Sequence, residues 1–156
     1  MSRLNHSTES PELVKKLAEV GLTKSSVDPI IKNLIEIRAS QMNGCTFCVD
    51  MHVKEAKIRG ERELRLHHVA VWRESKLFTE KERAALEWTE IVTQLSPRGI
   101  SDQDYERALT FFSKKELSDL TFAIGVINVW NRLSVAFHAE PGALDMHYGL
   151  DKAGLN

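Results

Sequence analysis

The stretch that begins at Ser113-Lys114-Lys115-Glu116 does most to limit the folds open to this chain. Those residues have the form of a capping box, in which the serine hydroxyl and the glutamate carboxylate each accept from the other's backbone N–H at a helix start. Behind them Leu117, Leu120, Phe122, Ile124, Val126, Ile127, Val129, Trp130 and Leu133 put apolar side chains on most sides of one helix rather than along a single stripe. Such a helix belongs at the buried centre of a bundle, and a bundle needs other helices to enclose it.

Those other helices are signalled one after another. Ser10-Pro11-Glu12 supplies an N-cap, a first-turn proline and an acidic first turn, leading through Leu13, Val14 and Leu17 to a stop at Gly21. Asp28-Pro29 opens a second helix whose apolar stripe, Ile30, Ile31, Leu34, Ile35, Ile37 and Met42, is interrupted at Asn43-Gly44. A third runs from about Cys45 to Arg59 before Gly60, and a fourth from about Glu61 through Leu66 and Val69 to Trp72. Thr79-Glu80-Lys81-Glu82 is another capping box, opening a fifth helix through Leu86, Trp88 and Ile91 to Leu95, and Ser101 to Phe111 reads as a sixth. From Ala139 onward Pro141, Gly142, Gly149 and Gly154 point to an irregular C-terminal tail over 138–156, with Leu144, Met146, Tyr148 and Leu150 as anchors, either mobile or docked on a neighbouring subunit. No segment alternates as a strand does, and no repeat appears. The expectation is an all-α bundle of about six to seven helices, one domain over 1–156 with its core at about 10–137.

At 156 residues the chain is long enough to bury a sizeable core. Its 21 Lys and Arg are interspersed with 22 Asp and Glu, so no basic face invites nucleic acid and no charge block invites a membrane surface. The N-terminus lacks the apolar core of a signal peptide, and no apolar stretch is read as approaching the roughly 18 residues a span needs. A cytosolic, non-membrane protein acting on a small molecule or another protein is expected.

In a reducing compartment the placing of the two cysteines becomes informative. Cys45-Thr46-Phe47-Cys48 is followed by His52, and on a helix steps of three and four residues bring all three onto one face. A structural disulfide is improbable there, and so short a loop would contribute only about 2 kcal/mol against nearly 5 for a long one. Redox chemistry uses the same spacing well. A thiolate attacks a peroxide, the resulting sulfenic acid condenses with the neighbouring thiol, and the disulfide awaits an external dithiol. Two devices can lower a thiol's pKa from its ordinary value near 8.5: the free N–H groups of a helix starting at Gly44-Cys45, and His52 as proton acceptor. His52 is four residues from Cys48 and seven from Cys45, which makes Cys48 the attacking and Cys45 the resolving thiol. Cys45, near the helix start, is then expected to be the more accessible sulfur for exchange with the reductant.

Other uses are open to these residues. The cysteines could be inert packing, or half of a zinc site with His52 third and His67, His68, His138, His147 or an acid fourth. A c-type haem is excluded because Val49, not histidine, follows the second cysteine. The redox reading requires no metal and no cofactor. His67 and His68 point about 100° apart on a helix and read as structural. Trp72, Trp88 and Trp130 read as core or subunit contacts. Phe47 either packs inward or lines an apolar approach favouring organic hydroperoxides, and Arg38 and Gln41 read as helix partners.

The run from Ile37 to His52 resembles the active-site signature of AhpD-like alkylhydroperoxidases of the carboxymuconolactone decarboxylase superfamily. Trp72-Arg73-Glu74, Phe78 to Leu86 and Ile127 to Leu133 resemble that family's later segments, so the likeness covers roughly Asp28 to Phe137. The resemblance implies an all-α subunit in a ring-like homo-oligomer, a trimer or hexamer, that reduces hydroperoxides through a cysteine pair as antioxidant defence. It also implies a lipoylated or thioredoxin-like dithiol reductant protein, or a peroxiredoxin partner that receives the electrons. The branch that gives the superfamily its name, acting on a lactone, does not depend on a Cys-Cys-His set. One position departs from the pattern. The family's proton relay often includes a glutamate twelve residues before the first cysteine, where this chain has Asn33. The relay then rests on His52 alone, assisted by water or by Glu36, which three residues along a helix leave about 60° out of alignment. A redox-responsive binding or assembly protein, with no turnover, is the non-enzymatic alternative.

Overall fold

Both expected capping boxes form in the computed structural model, which describes residues 2–155; Met1 and Asn156, the outermost ends of the expected domain, lie outside the described residues. Thr79 accepts from Glu82 N–H and opens α6 (Glu80–Thr93), and Ser113 accepts from Glu116 N–H and opens α8 (Lys114–Phe137). Ahead of them come α1 (His6–Glu9), α2 (Pro11–Leu22), α3 (Pro29–Met42), α4 (Thr46–Ile58) and α5 (Glu63–His68), with α7 (Asp102–Leu109) between the boxes and α9 (Asp145–Tyr148) after them. Among the described residues there are nine α-helices and no strand, so the fold is all-α as expected while the helix number exceeds six to seven. The excess is the single turns α1 and α9, too short to carry an apolar period. The expected fourth helix also breaks at His68 into a 3-10 turn, Val69–Val71.

Helix α3 packs against α4, α6 and α8. Ile31, Ile35, Trp88, Leu120 and Ile124 fill one side of this contact, and Leu34, Ile37, Leu66, Val69, Trp72 and Leu86 the other. Helix α8 is long and apolar enough to cross a membrane by length and composition, a property the sequence reading had denied every segment. Its inward face instead carries Asn131, fully buried, whose amide donates to Ser40 Oγ at 2.9 Å and accepts from Asn43. Nor is it enclosed all round, because Phe122 is 67% exposed. The short α2 covers only part of its outer side.

The tail folds back. Asp145 of α9 reaches Lys54 of α4, Gly142 N–H donates to Asp50, and Leu150 and Ala153 of a closing 3-10 turn, Leu150–Ala153, are buried. Its partner is α4 of the same chain, and that contact completes one wall of the site described next.

Candidate functional site

The turn between α3 and α4 sets the position of the cysteines. Gly44, at φ +66°, ends α3 in the left-handed conformation that glycine adopts without penalty. Cys45 N–H donates to Ser40 O at 2.9 Å and Gly44 N–H to Gln41 O at 3.2 Å, the paired bonds of a Schellman stop. Cys45 therefore closes one helix and also caps the next, its sulfur accepting from Cys48 N–H at 3.2 Å. This is the helix-start arrangement expected for the first thiol. The two cysteines are joined by a disulfide, with their Cα atoms 5.4 Å apart.

Beside the pair lies a cavity of about 970 Å3. Cys48, His52, Glu36, Phe47, Met51 and Trp130 contribute to its wall, whereas Cys45 does not. Both cysteines are buried, at 1% for Cys45 and 3% for Cys48, so the expectation that Cys45 is the accessible sulfur fails. The N-cap position that favours a thiolate at Cys45 also turns its sulfur back onto the α4 backbone. Trp130 packs against the buried cluster of Ala39, Cys45, Cys48 and Ile127, in keeping with a core role, and like Phe47 it also borders the cavity. The N-terminal segment and the docked tail contribute further wall, with Leu4, His6, Leu144 and Tyr148 among the lining residues.

Glu36 reaches His52 because α3 and α4 run antiparallel across the Gly44 turn. His52 Nδ1 lies 3.5 Å from Glu36 Oε2 and 2.9 Å from Glu55 Oε2. Asn33, one turn earlier on α3, stands opposite a later level of α4, where its Oδ1 accepts from Arg59 Nη1 at 2.7 Å. The relay position of the resembling family is thus occupied by a neutral amide that holds a cation, and its buried Nδ2 has no hydrogen-bond partner. Alignment on α3 alone underestimated Glu36 because the level of α4 decides which residue meets His52.

Charge in this cluster follows from burial and proximity. Burial pushes the Glu36 carboxyl above its ordinary range, more than His52 and Lys32 pull it down. Burial also pushes His52 down, yet the hydrogen bond to Glu55 and the charge of Glu36 outweigh it and hold the imidazole pKa above its usual value. For Glu55 burial works upward, and the bond to His52 with the charges of His52 and Arg59 brings the carboxyl below its ordinary range. Ligand atoms of Glu36, His52 and Glu55 lie within 4.8 Å of one another, so these are the described side chains close enough to share an ion, and the cysteines are not among them. Of the remaining expectations, Arg38 is an ion-pair partner of Glu90 at 2.8 Å, and His68 Nδ1 meets Ser75 Oγ at 3.0 Å.

Sequence and structure comparisons agree on kinship. The Carboxymuconolactone decarboxylase family matches residues 8–90, which hold the cysteines, His52, Glu36 and Glu55. The uncharacterized protein YdfG of Bacillus subtilis is 35% identical over 136 residues, 86% of this chain and 92% of that protein. A crystal structure from Agrobacterium tumefaciens, of a protein of unknown function named as a candidate antioxidant defence protein AhpD, is 39% identical with a TM-score of 0.86, covering 92% of this chain and 99% of that one. The debrominase Bmp8, 18% identical with a TM-score of 0.74 over 94% of this chain and 79% of its own, shares the fold. The same fold therefore serves enzymes of more than one reaction.

Proposed function

Because the chain belongs to the carboxymuconolactone decarboxylase family, on its AhpD-like side, we propose that it is a thiol-dependent reductase of organic hydroperoxides. The observation that carries this reading is the sharing of one largely apolar cavity wall by Cys48, His52 and Glu36, with Cys45 bonded behind. Such a cavity is of the size that encloses a small organic molecule. In the reduced protein the Cys48 thiolate attacks the terminal peroxide oxygen, the O–O bond breaks, and the departing alkoxide takes a proton from the His52 imidazolium to leave as the alcohol. Cys45 then attacks the Cys48 sulfenic acid, and water leaves as the disulfide forms.

Regeneration runs through Cys48 as well. An external dithiol attacks the sulfur that borders the cavity, and Cys45 leaves as a thiolate stabilised at the start of α4, where a leaving group of lowered pKa departs fastest. A second thiol of the same reductant resolves the mixed disulfide. A lipoylated or thioredoxin-like protein would supply that dithiol. Exposed Leu13, Leu22 and Phe122 suit subunit contacts in a homo-oligomer.

The reading is tested by adding cumene hydroperoxide to reduced protein with excess dihydrolipoamide and following both peroxide and dithiol. Sustained consumption of the two in equal amounts is expected. One equivalent consumed per disulfide formed, and then nothing, would identify a redox-responsive protein instead. In the same assay Glu36→Gln should lower turnover by about tenfold to a hundredfold, as loss of a proton-transfer group does. A rate equal to wild type would remove Glu36 from the relay.

A further inference from the structure

Glu55 belongs to no set of residues that the sequence singled out, yet of the two carboxylates at His52 it lies the nearer. Its Oε2 and that of Glu36 address the same ring nitrogen, at 2.9 Å and 3.5 Å from Nδ1. One nitrogen carries one hydrogen, so the shorter contact takes it: Nδ1–H donates to Glu55. That choice fixes the tautomer and leaves Nε2 as the nitrogen free to give and receive a proton. The two acids are also placed differently. Glu36 and His52 border the cavity and Glu55 does not. Of the two carboxylates at Nδ1, one thus reaches the cavity and the other does not.

We propose that Glu55 is the positioning carboxylate of the relay, holding His52 by Nδ1–H so that Nε2 exchanges the proton with Cys48 and the departing alkoxide, while Glu36 holds a proton at the cavity wall. The assignment rests on the peroxidase reading for the identity of the reacting groups, and on the geometry of the cluster for everything else. Around His52 the charged groups are Lys32 and Glu36 from α3 with Glu55 and Arg59 from α4 and its end, while His6, Lys24, Asp119, Glu140 and His147 line the cavity's other walls. Arg59 has its own part. Asn33 holds it with a neutral amide, and its charge adds to the larger effect of His52 in keeping the Glu55 carboxyl below its ordinary range. A glutamate at position 33 would pair with the same cation and weaken that effect.

The experiment is an NMR titration of the His52 ring in the full-length disulfide form, where no thiol titrates beside it, in wild type, Glu55→Gln and Glu55→Asp. The neutral ring of the wild type should be the Nδ1–H tautomer. Glu55→Gln keeps an acceptor of similar shape but removes the charge, and should lower the imidazole midpoint by about one pH unit, the tenfold change that loss of one close ion pair produces. Glu55→Asp should recover part of that shift. In the reduced protein, alkylation of Cys48 should move to higher pH in Glu55→Gln, since less imidazolium remains to stabilise the thiolate. A wild-type ring found as Nε2–H, or a midpoint unchanged in Glu55→Gln, would overturn the proposal. Neither reading needs turnover, so a protein that fails to reduce peroxide can still confirm or refute the role of Glu55.

Discussion

Cys48→Ser will no longer react with hydroperoxide, and its turnover will fall by about three orders of magnitude or more, the usual scale for loss of a covalent nucleophile. Cys45→Ser will behave differently: the first oxidation proceeds, a sulfenic acid persists on Cys48 and can be trapped with dimedone, and cycling then stops. The asymmetry follows from position. Cys48 is the cysteine that borders the cavity, four residues before the imidazole on the same helix, whereas the Cys45 sulfur is turned onto the α4 N-terminus. Stopped-flow oxidation followed by mass analysis of the trapped adduct distinguishes the two variants. Oxidation of Cys48→Ser together with an inert Cys45→Ser would reverse the assignment and require a route to Cys45 that avoids the cavity.

The cysteine pair and His52 were legible because their spacing lies within one helix, where sequence distance and spatial distance are the same quantity. The capping boxes were legible for the same reason. What escaped was set by relations between helices. That Glu36 rather than Asn33 meets His52 depends on the antiparallel level of α3 against α4, fixed by the stop at Gly44. Glu55 carries no motif, and only the folded helix shows its carboxylate 2.9 Å from the His52 ring. Trp130 has the spacing of a core residue and does pack against Ala39, Cys45, Cys48 and Ile127, but nothing local in the sequence shows that it also borders a cavity. The fate of the tail was hidden in a contact between positions 54 and 145, which no local pattern can reveal.

That contact supplies the second large effect. Lys54 is only 4% exposed, and its ammonium lies 2.9 Å from Asp50 and 2.6 Å from Asp145. Burial pushes its pKa down, but the bonds to Asp145 and Asp50 more than compensate and hold it above the ordinary lysine value. Lys54→Met keeps the length of the side chain and leaves two carboxylates facing each other without a cation. Breaking a buried pair in this way costs about 3–5 kcal/mol, and because both aspartates keep partial access to water we expect about 2–3 kcal/mol, a fall in Tm of roughly 5–10 °C for a chain of this size. Urea unfolding at pH 7 measures it. Since the folded pKa is raised, the Lys54 contribution is complete below about pH 10 and is lost only as pH rises through the folded value, so the difference between variant and wild type should stay flat from neutral pH to about 9 on the lysine's account. Both aspartates lose the Lys54 cation, but Asp50 retains the Gly142 N–H at 3.0 Å. Lys54→Met/Asp145→Asn should therefore recover a large part of the loss, as coupled neighbours do. The same variant loosens a wall of the cavity, because Ala143, Leu144, His147 and Tyr148 line it from the docked tail. Proteolysis should then cut within 139–155 before the rest of the chain. A loss under about 0.5 kcal/mol, the scale of an ordinary surface substitution, with the tail still protected, would mean that Leu150 and Ala153 hold the wall without help from the ion pairs.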